Sequence, residues 1–180
     1  MKNSLVLIGI KHCGKSTLGR LLARKYNVDF LDSDAELEND FYMSSGSRCS
    51  CREIYKILGE EKFRQLEAEV ITGLISPVPR VIALGGGAVS NPFLNKETLH
   101  RLGTVIWLDI REDIAYQRVI KNGLPPFLSD AADPRKRFEE MNIQRKKAFS
   151  RAADVIFAIE EELDKNTAVQ NLAAVLEGKK

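Results

Sequence analysis

The chain has 180 residues, 44% hydrophobic and 29% charged, enough apolar material to bury one continuous core, so a single domain over residues 1–180 is expected. Its 27 Lys plus Arg against 25 Asp plus Glu leave a net charge of +2, too balanced for a general nucleic-acid or membrane-surface binder, so any basic site must be local. The opening apolar run, Leu5 to Ile10, is too short for a signal or membrane helix, and Cys13, Cys49 and Cys51 form an odd set without zinc spacing; the expectation is a cytoplasmic protein without structural disulfides.

Leu5 to Ile8 is a branched apolar run that stops at Gly9, the pattern of a strand buried on both faces. From Lys15 the period becomes helical, with Leu18, Leu21, Leu22 and Tyr26 on one side and Arg20, Arg24 and Lys25 on the other. Val28 to Leu31 reads as a second strand, with Asp32-Ser33-Asp34 at its C-terminal end and a helix from Ala35. Residues 51 to 75 are helical in period through Ile54, Phe63, Leu66 and Val70. Gly59 interrupts them, so two helices fit better than one, ending before Pro77 and Pro79. A third strand, Val81 to Leu84, leads into Gly85-Gly86-Gly87. A helix from about Pro92 to Leu102 precedes a fourth strand, Val105 to Leu108, and Val155 to Ile159 gives a fifth. Strands alternating with helices, with no internal repeat or linker, point to a mostly parallel α/β sheet covered on both faces. Ligands then belong at the strands' C-terminal ends.

The chemistry gathers at those ends. Gly9-Ile10-Lys11-His12-Cys13-Gly14-Lys15-Ser16 matches the G-x-x-x-x-G-K-[ST] phosphate loop, between a strand and a helix as that loop requires. Its backbone N–H groups and helix N-terminus cradle phosphates, Lys15 reaches the β- and γ-phosphates, and Ser16 ligates Mg²⁺. His12 and Cys13 occupy free positions and receive no side-chain chemistry. Asp32 and Asp34, on one face of an extended chain, are placed to serve a metal-bound water and an acceptor hydroxyl; a helix N-cap with one solvated acid is the simpler alternative. Gly85-Gly86-Gly87 offers unhindered N–H groups to an anion or substrate ring, or is a flexible turn. Residues 111 to 151 carry ten Lys or Arg against six Asp or Glu. Within them the proline-interrupted stretch Asn122 to Ser129 suits a mobile cover over a phosphoryl-transfer site.

Taken together, the phosphate loop continued by Ser16-Thr17-Leu18-Gly19-Arg20, Asp32-Ser33-Asp34, the segment Ile54 to Glu67 and Gly85-Gly86-Gly87-Ala88-Val89 resemble the shikimate kinases, from Leu5 to about Ala152. The resemblance implies a three-layer α/β/α P-loop kinase with a five-stranded parallel sheet in order 2-3-1-4-5, a helical substrate-binding region near 34–64 and a lid near 119–132. It implies ATP at Gly9, Cys13, Gly14, Lys15, Ser16, Thr17 and Arg118, with Arg118 stacking on adenine. Mg²⁺ falls to Ser16 and, through water, Asp32. The acceptor, a small carboxylated polyol such as shikimate, falls to Asp34, the candidate base, with Gly86, Gly87 and the carboxylate clamp Arg64 and Arg145. A monomer is expected. The family's lid carries Arg-Pro-Leu-Leu where this chain has Pro125-Pro126-Phe127-Leu128, and Lys-Lys-Ala-Phe149 follows Arg145 where a Pro-x-Tyr-like stretch is common. Lys121, Arg135, Lys136 or Arg137 are the basic residues available to substitute for the lid arginine. The departure leaves open a related kinase for another hydroxy acid such as gluconate, or for a nucleotide, and a nucleotide-binding protein without turnover. No role follows for Cys49 or Cys51.

Overall fold

The computed structural model describes residues 3–124 and 126–178. Its elements in chain order are β1 (Leu5–Ile8), α1 (Lys15–Tyr26), β2 (Asp29–Asp32), α2 (Ser33–Ser45), α3 (Cys51–Gly73), β3 (Arg80–Ala83), a 3-10 turn (Ala88–Ser90), α4 (Lys96–Leu102), β4 (Thr104–Ile110), α5 (Glu112–Lys121), α6 (Pro126–Ser129), α7 (Pro134–Ala152), β5 (Val155–Ile159) and α8 (Lys165–Glu177). The five strands form one parallel sheet in the order β2-β3-β1-β4-β5, as the resemblance implies. All four residues of β1 are buried; a central strand covered on both faces has no polar side, hence its unbroken apolar run. The outer strand β5 alternates instead: Val155, Phe157 and Ile159 are buried and Ile156 is exposed.

The sheet's C-terminal edge is held to the helices by specific devices. Gly14 caps α1 in the left-handed region at φ 104°, and Asn27 ends it at φ 52°, its N–H donating to Ala23 O and Arg24 O. On α1 a Cβ at Gly19 would sit 2.5 Å from the Phe30 ring, so the glycine sets how closely α1 approaches β2. The main core runs along both sheet faces and includes Leu7, Ile8, Ile106, Phe138 and Phe149. A separate small core, Leu37, Phe41, Ile54 and Phe63, joins α2 to the first half of α3. That makes α2 and the first half of α3 a unit with its own packing, resting on the sheet edge.

The segment 51–73 divides at Gly59 (φ 76°, ψ 170°) into two helices, as expected; its start is fixed by a capping box in which Ser50 N donates to Glu53 Oε2 at 2.8 Å. Three other expectations change in detail. The helix expected from Pro92 begins at Lys96, because Asn91 Oδ1 accepts from Phe93 N and Asn95 Oδ1 from Thr98 N, holding residues 91 to 95 as a turn. The helix expected from Ala35 begins at Ser33. The C-terminal helix α8, for which the sequence reading made no provision, is capped by Asp164, buries Val169, Leu172 and Ala173, and is tied to α1 by Tyr26 Oη donating to Glu177 Oε1 at 3.4 Å. Among the described residues no helix is long and apolar enough to cross a membrane.

Candidate active site

A cleft of 1060 Å³ opens over the C-terminal ends of β1, β2 and β3, floored by the phosphate loop and walled by Gly85–Gly87 and α7. The loop owes its shape to unusual backbone angles: Gly9 at φ 148°, His12 at 64° and Gly14 at 104°. At Gly9 a Cβ would be 2.8 Å from both Cys13 Sγ and Leu108 O, so only glycine fits there. Lys15 Nζ spans the loop, donating to Gly9 O and Ile10 O, each at 2.9 Å. Cys13 is buried beneath it, its sulfur 3.8 Å from Lys15 Nζ. Burial, helped by Lys11, Lys15 and Arg118, pushes the His12 imidazole below its ordinary pKa and so towards the neutral form.

Ser16 and Asp32 are brought together, Ser16 Oγ donating to Asp32 Oδ2 at 2.7 Å. A hydroxyl beside a carboxylate, both oxygen donors at the foot of a phosphate loop, fits Mg²⁺, which takes few protein ligands and keeps waters and substrate oxygens in its shell. The geometry of the acidic pair differs from the expected alternation along a strand. β2 ends at Asp32, which is the N-cap of α2 and accepts from Asp34 N at 3.2 Å, while Asp34 lies in the helix's first turn. Asp32 is therefore the N-cap of α2, while its Oδ2 still faces Ser16 Oγ.

Asp34 opens to the cleft, with protein on its remaining sides. Burial first, then the neighbouring Asp32, raises its pKa to about 6, against a smaller opposing pull from Lys15. Its carboxylate sits directly on Gly85, where an added Cβ would collide with Asp34 Oδ1. Gly85 N in turn donates to the buried Ser33 Oγ at 2.9 Å, joining the start of α2 to the glycine segment.

Two guanidinium groups front the next two glycines. A Cβ on Gly87 would lie 3.0 Å from Arg64 Nη1, and one on Gly86 would lie 3.8 Å from Arg145 Nη1. Arg64 is held by Glu67, Nη1 to Oε2 at 2.7 Å, and Asn91 Nδ2 donates both to Glu67 Oε2 and to Arg64 O at 2.8 Å. Arg145 has no carboxylate partner among the described residues, and burial together with Arg64 lowers its pKa. Two cations so close, one unneutralised, make a receptor for an anion. At the opposite end Arg118 pairs in bidentate fashion with Glu162, at 2.8 and 2.6 Å, and donates to His12 O at 3.1 Å, so its guanidinium plane roofs the loop.

The structure thus brings Lys15, Ser16, Thr17, Asp32, Asp34, Gly86, Arg118 and Arg145 to one cleft, with Arg64 behind Gly87. Of the residues available to replace a lid cation, Lys121 lines the cleft. Arg135 instead pairs with Glu139 at 3.0 Å, and Lys136 and Arg137 are exposed on the first turn of α7. Pro125 lies outside the described residues. Glu67, Asn91, Glu162 and Ser33, which hold the site residues in place, received no role from the sequence; only the Arg64–Glu67 spacing of three along a helix gave a signal. Cys51 braces the start of α2: Glu38 Oε1 accepts from its N–H at 2.9 Å, its thiol donates to Asp34 O at 3.3 Å, and burial keeps the thiol protonated.

Comparisons with known proteins identify the family. The family model for shikimate kinase matches residues 11–176. The shikimate kinase of Rhizobium meliloti (strain 1021) is 33% identical over 180 residues, covering 99% of this chain and 88% of the relative. Among solved structures, shikimate kinase from Bacteroides thetaiotaomicron superposes with a TM-score of 0.80 at 27% identity, covering 97% of this chain and 98% of the other. Shikimate kinase from Acinetobacter baumannii in complex with shikimate also gives 0.80 at 27%, covering 98% and 94%. With its phosphate loop, its sheet order and this extent of likeness, the chain belongs to the shikimate kinase family.

Proposed function

We propose that this chain transfers the γ-phosphoryl group of Mg-ATP to the 3-hydroxyl of shikimate, releasing ADP and shikimate 3-phosphate. The observation that carries the reading is the pair Arg64 and Arg145 at Gly87 and Gly86, with Arg145 and both glycines lining the same cleft as Asp34 and the phosphate loop and Arg64 behind Gly87. This arrangement suits an acceptor with one carboxylate and adjacent ring hydroxyls.

In this reading the N–H groups around Gly14 hold the β-phosphate, Lys15 exchanges its loop carbonyls for β- and γ-phosphate oxygens, and the Arg118 plane lies on the adenine. Ser16 Oγ and, through water, Asp32 would hold Mg²⁺, which offsets charge on the phosphates. Arg64 and Arg145 clamp the acceptor carboxylate and so fix which hydroxyl faces the γ-phosphorus. Asp34 accepts that hydroxyl's proton as the new P–O bond forms and the bond to the β–γ bridging oxygen breaks. A carboxylate raised to about 6 is ionised at neutral pH and still basic enough to serve. Binding of the acceptor removes water from Asp34, which strengthens its pull on the proton. The same reading makes the chain a cytoplasmic monomer of one domain, with residues 34–64 and 119–132 closing on the substrates and with no nucleic-acid partner.

Phosphorus NMR of purified protein with Mg-ATP and shikimate tests it. The expected result is one new phosphomonoester coupled to the C3 ring proton, with equimolar ADP; ADP without a new phosphoester, or a phosphoester at another carbon, overturns it.

A further inference from the structure

Phosphoryl transfer spreads negative charge over the oxygens of the group in flight, midway between donor and acceptor, and a cation placed there acts on the transition state more than on bound ATP. Most cations of the cleft are engaged away from that point. Arg118 is bound to Glu162 and His12 O. Lys121 helps hold the same Glu162 ionised, after Arg118. Lys165 opens α8 on the far side. Lys15 is directed along the loop, and Arg64 and Arg145 stand at the glycines on the acceptor side.

Lys11 differs from these in its place: like Lys121 and Lys165 it is exposed, lines the cleft and makes no hydrogen bond or ion pair among the described residues, but it belongs to the phosphate loop itself. It also occupies the seam between the two halves of the site: a Cβ on Gly86 would lie 3.7 Å from Lys11 N, 3.7 Å from Gly9 O and 3.8 Å from Arg145 Nη1. The donor loop and the acceptor wall therefore touch at this residue. The neighbouring His12 feels Lys11, Lys15 and Arg118 together, so the loop's apex concentrates positive potential, and no described residue pairs with Lys11.

We infer that Lys11 is a further catalytic residue whose ammonium contacts the γ-phosphoryl oxygens as they cross from the phosphate loop to the acceptor beside Gly86. It forms no covalent bond and passes no proton: the bond made is γ-phosphorus to acceptor oxygen, the bond broken is γ-phosphorus to bridging oxygen, and Lys11 only balances charge. The inference rests on the kinase reading above, though not on the identity of the acceptor.

Lys11→Met and Lys11→Arg in the full chain test it, with three readouts: kcat with shikimate, affinity for Mg-ADP, and affinity for Mg-ADP with aluminium fluoride, which imitates the group in flight. The expected result for Lys11→Met is a loss of about a hundredfold in kcat, Mg-ADP affinity within about twofold, and aluminium fluoride complex affinity down by at least about tenfold. Lys11→Arg should recover much of each loss. A Lys11→Met kcat within about threefold of the parent overturns the inference, as does an equal loss of affinity for Mg-ADP and its aluminium fluoride complex. If the parent shows no shikimate-dependent turnover, the acceptor assignment fails and the aluminium fluoride comparison still decides the role of Lys11.

Discussion

Asp34 lies so close to Gly85 that a single added methyl group would collide with Asp34 Oδ1. The glycine is therefore part of how the Asp34 carboxylate is aimed. Gly85→Ala must turn the carboxylate away from the cleft, since the backbone there is already tied by Gly85 N to Ser33 Oγ. The expected outcome is a fall in kcat of about a hundredfold with the Kd for ADP unchanged; normal kcat in this variant would remove Asp34 from the chemistry.

Asp34 itself sets a trade between activity and stability. Its folded pKa, raised from 3.8 to about 6, means the folded state holds the proton more tightly than the unfolded chain. Stability therefore declines as pH rises from about 4 to about 6, and the cost is fully present above that. Two units correspond to about 3 kcal/mol, which solvent in the cleft screens to about 1 kcal/mol. Asp34→Asn should raise Tm by about 2–4 °C at pH 7.5 and leave it unchanged at pH 4, while kcat falls by about a hundredfold or more. Calorimetry at the two pH values checks the first part; a Tm that drops at pH 7.5 contradicts it. The parent's kcat should fall about tenfold per unit below pH 6.

Ser16→Ala and Asp32→Asn both disturb the 2.7 Å contact between the residues proposed to hold Mg²⁺. Each should raise the Mg²⁺ concentration for half-maximal activity by about tenfold or more, and titration of activity against free Mg²⁺ reads this directly. An unchanged midpoint in both variants would place the metal elsewhere.

Asn91 reaches from the turn after β3 to hold Glu67 and the backbone of Arg64. Asn91→Ala leaves a buried carboxylate one donor short, at a cost of about 2 kcal/mol, so Tm should drop by several degrees. Arg64 loses its brace as well, so KM for the acceptor should rise several-fold while KM for ATP stays constant; equal changes in both would make Asn91 a purely structural residue.

Much of this was legible before the structure because local pattern decides it. The β1 run, Gly14-Lys15-Ser16 and Gly85-Gly86-Gly87 are each fixed by neighbours within a few residues, so a strand, a phosphate loop and a glycine edge could be read from composition and spacing. The partners of the site residues could not, since they arrive from distant segments: Glu162 reaches Arg118 across 44 residues and Ser33 meets Gly85 across 52. The Asp32–Asp34 geometry departs from strand alternation because Asp32 both ends a strand and caps a helix, and the cap hydrogen bond turns the chain before alternation can align the two acids, though both still line one cleft. Helix α4 starts late for a similar reason, with two asparagines capturing backbone N–H groups that a helix would have used.

The most direct test of the account is steady-state ATP consumption by purified protein with Mg²⁺, comparing shikimate with other hydroxy acids and nucleotides against acceptor-free controls. The account predicts turnover that depends on shikimate and is abolished in Lys15→Ala with ordinary folding. Turnover on a different acceptor with none on shikimate, or ATP binding without turnover on any of them, would contradict it.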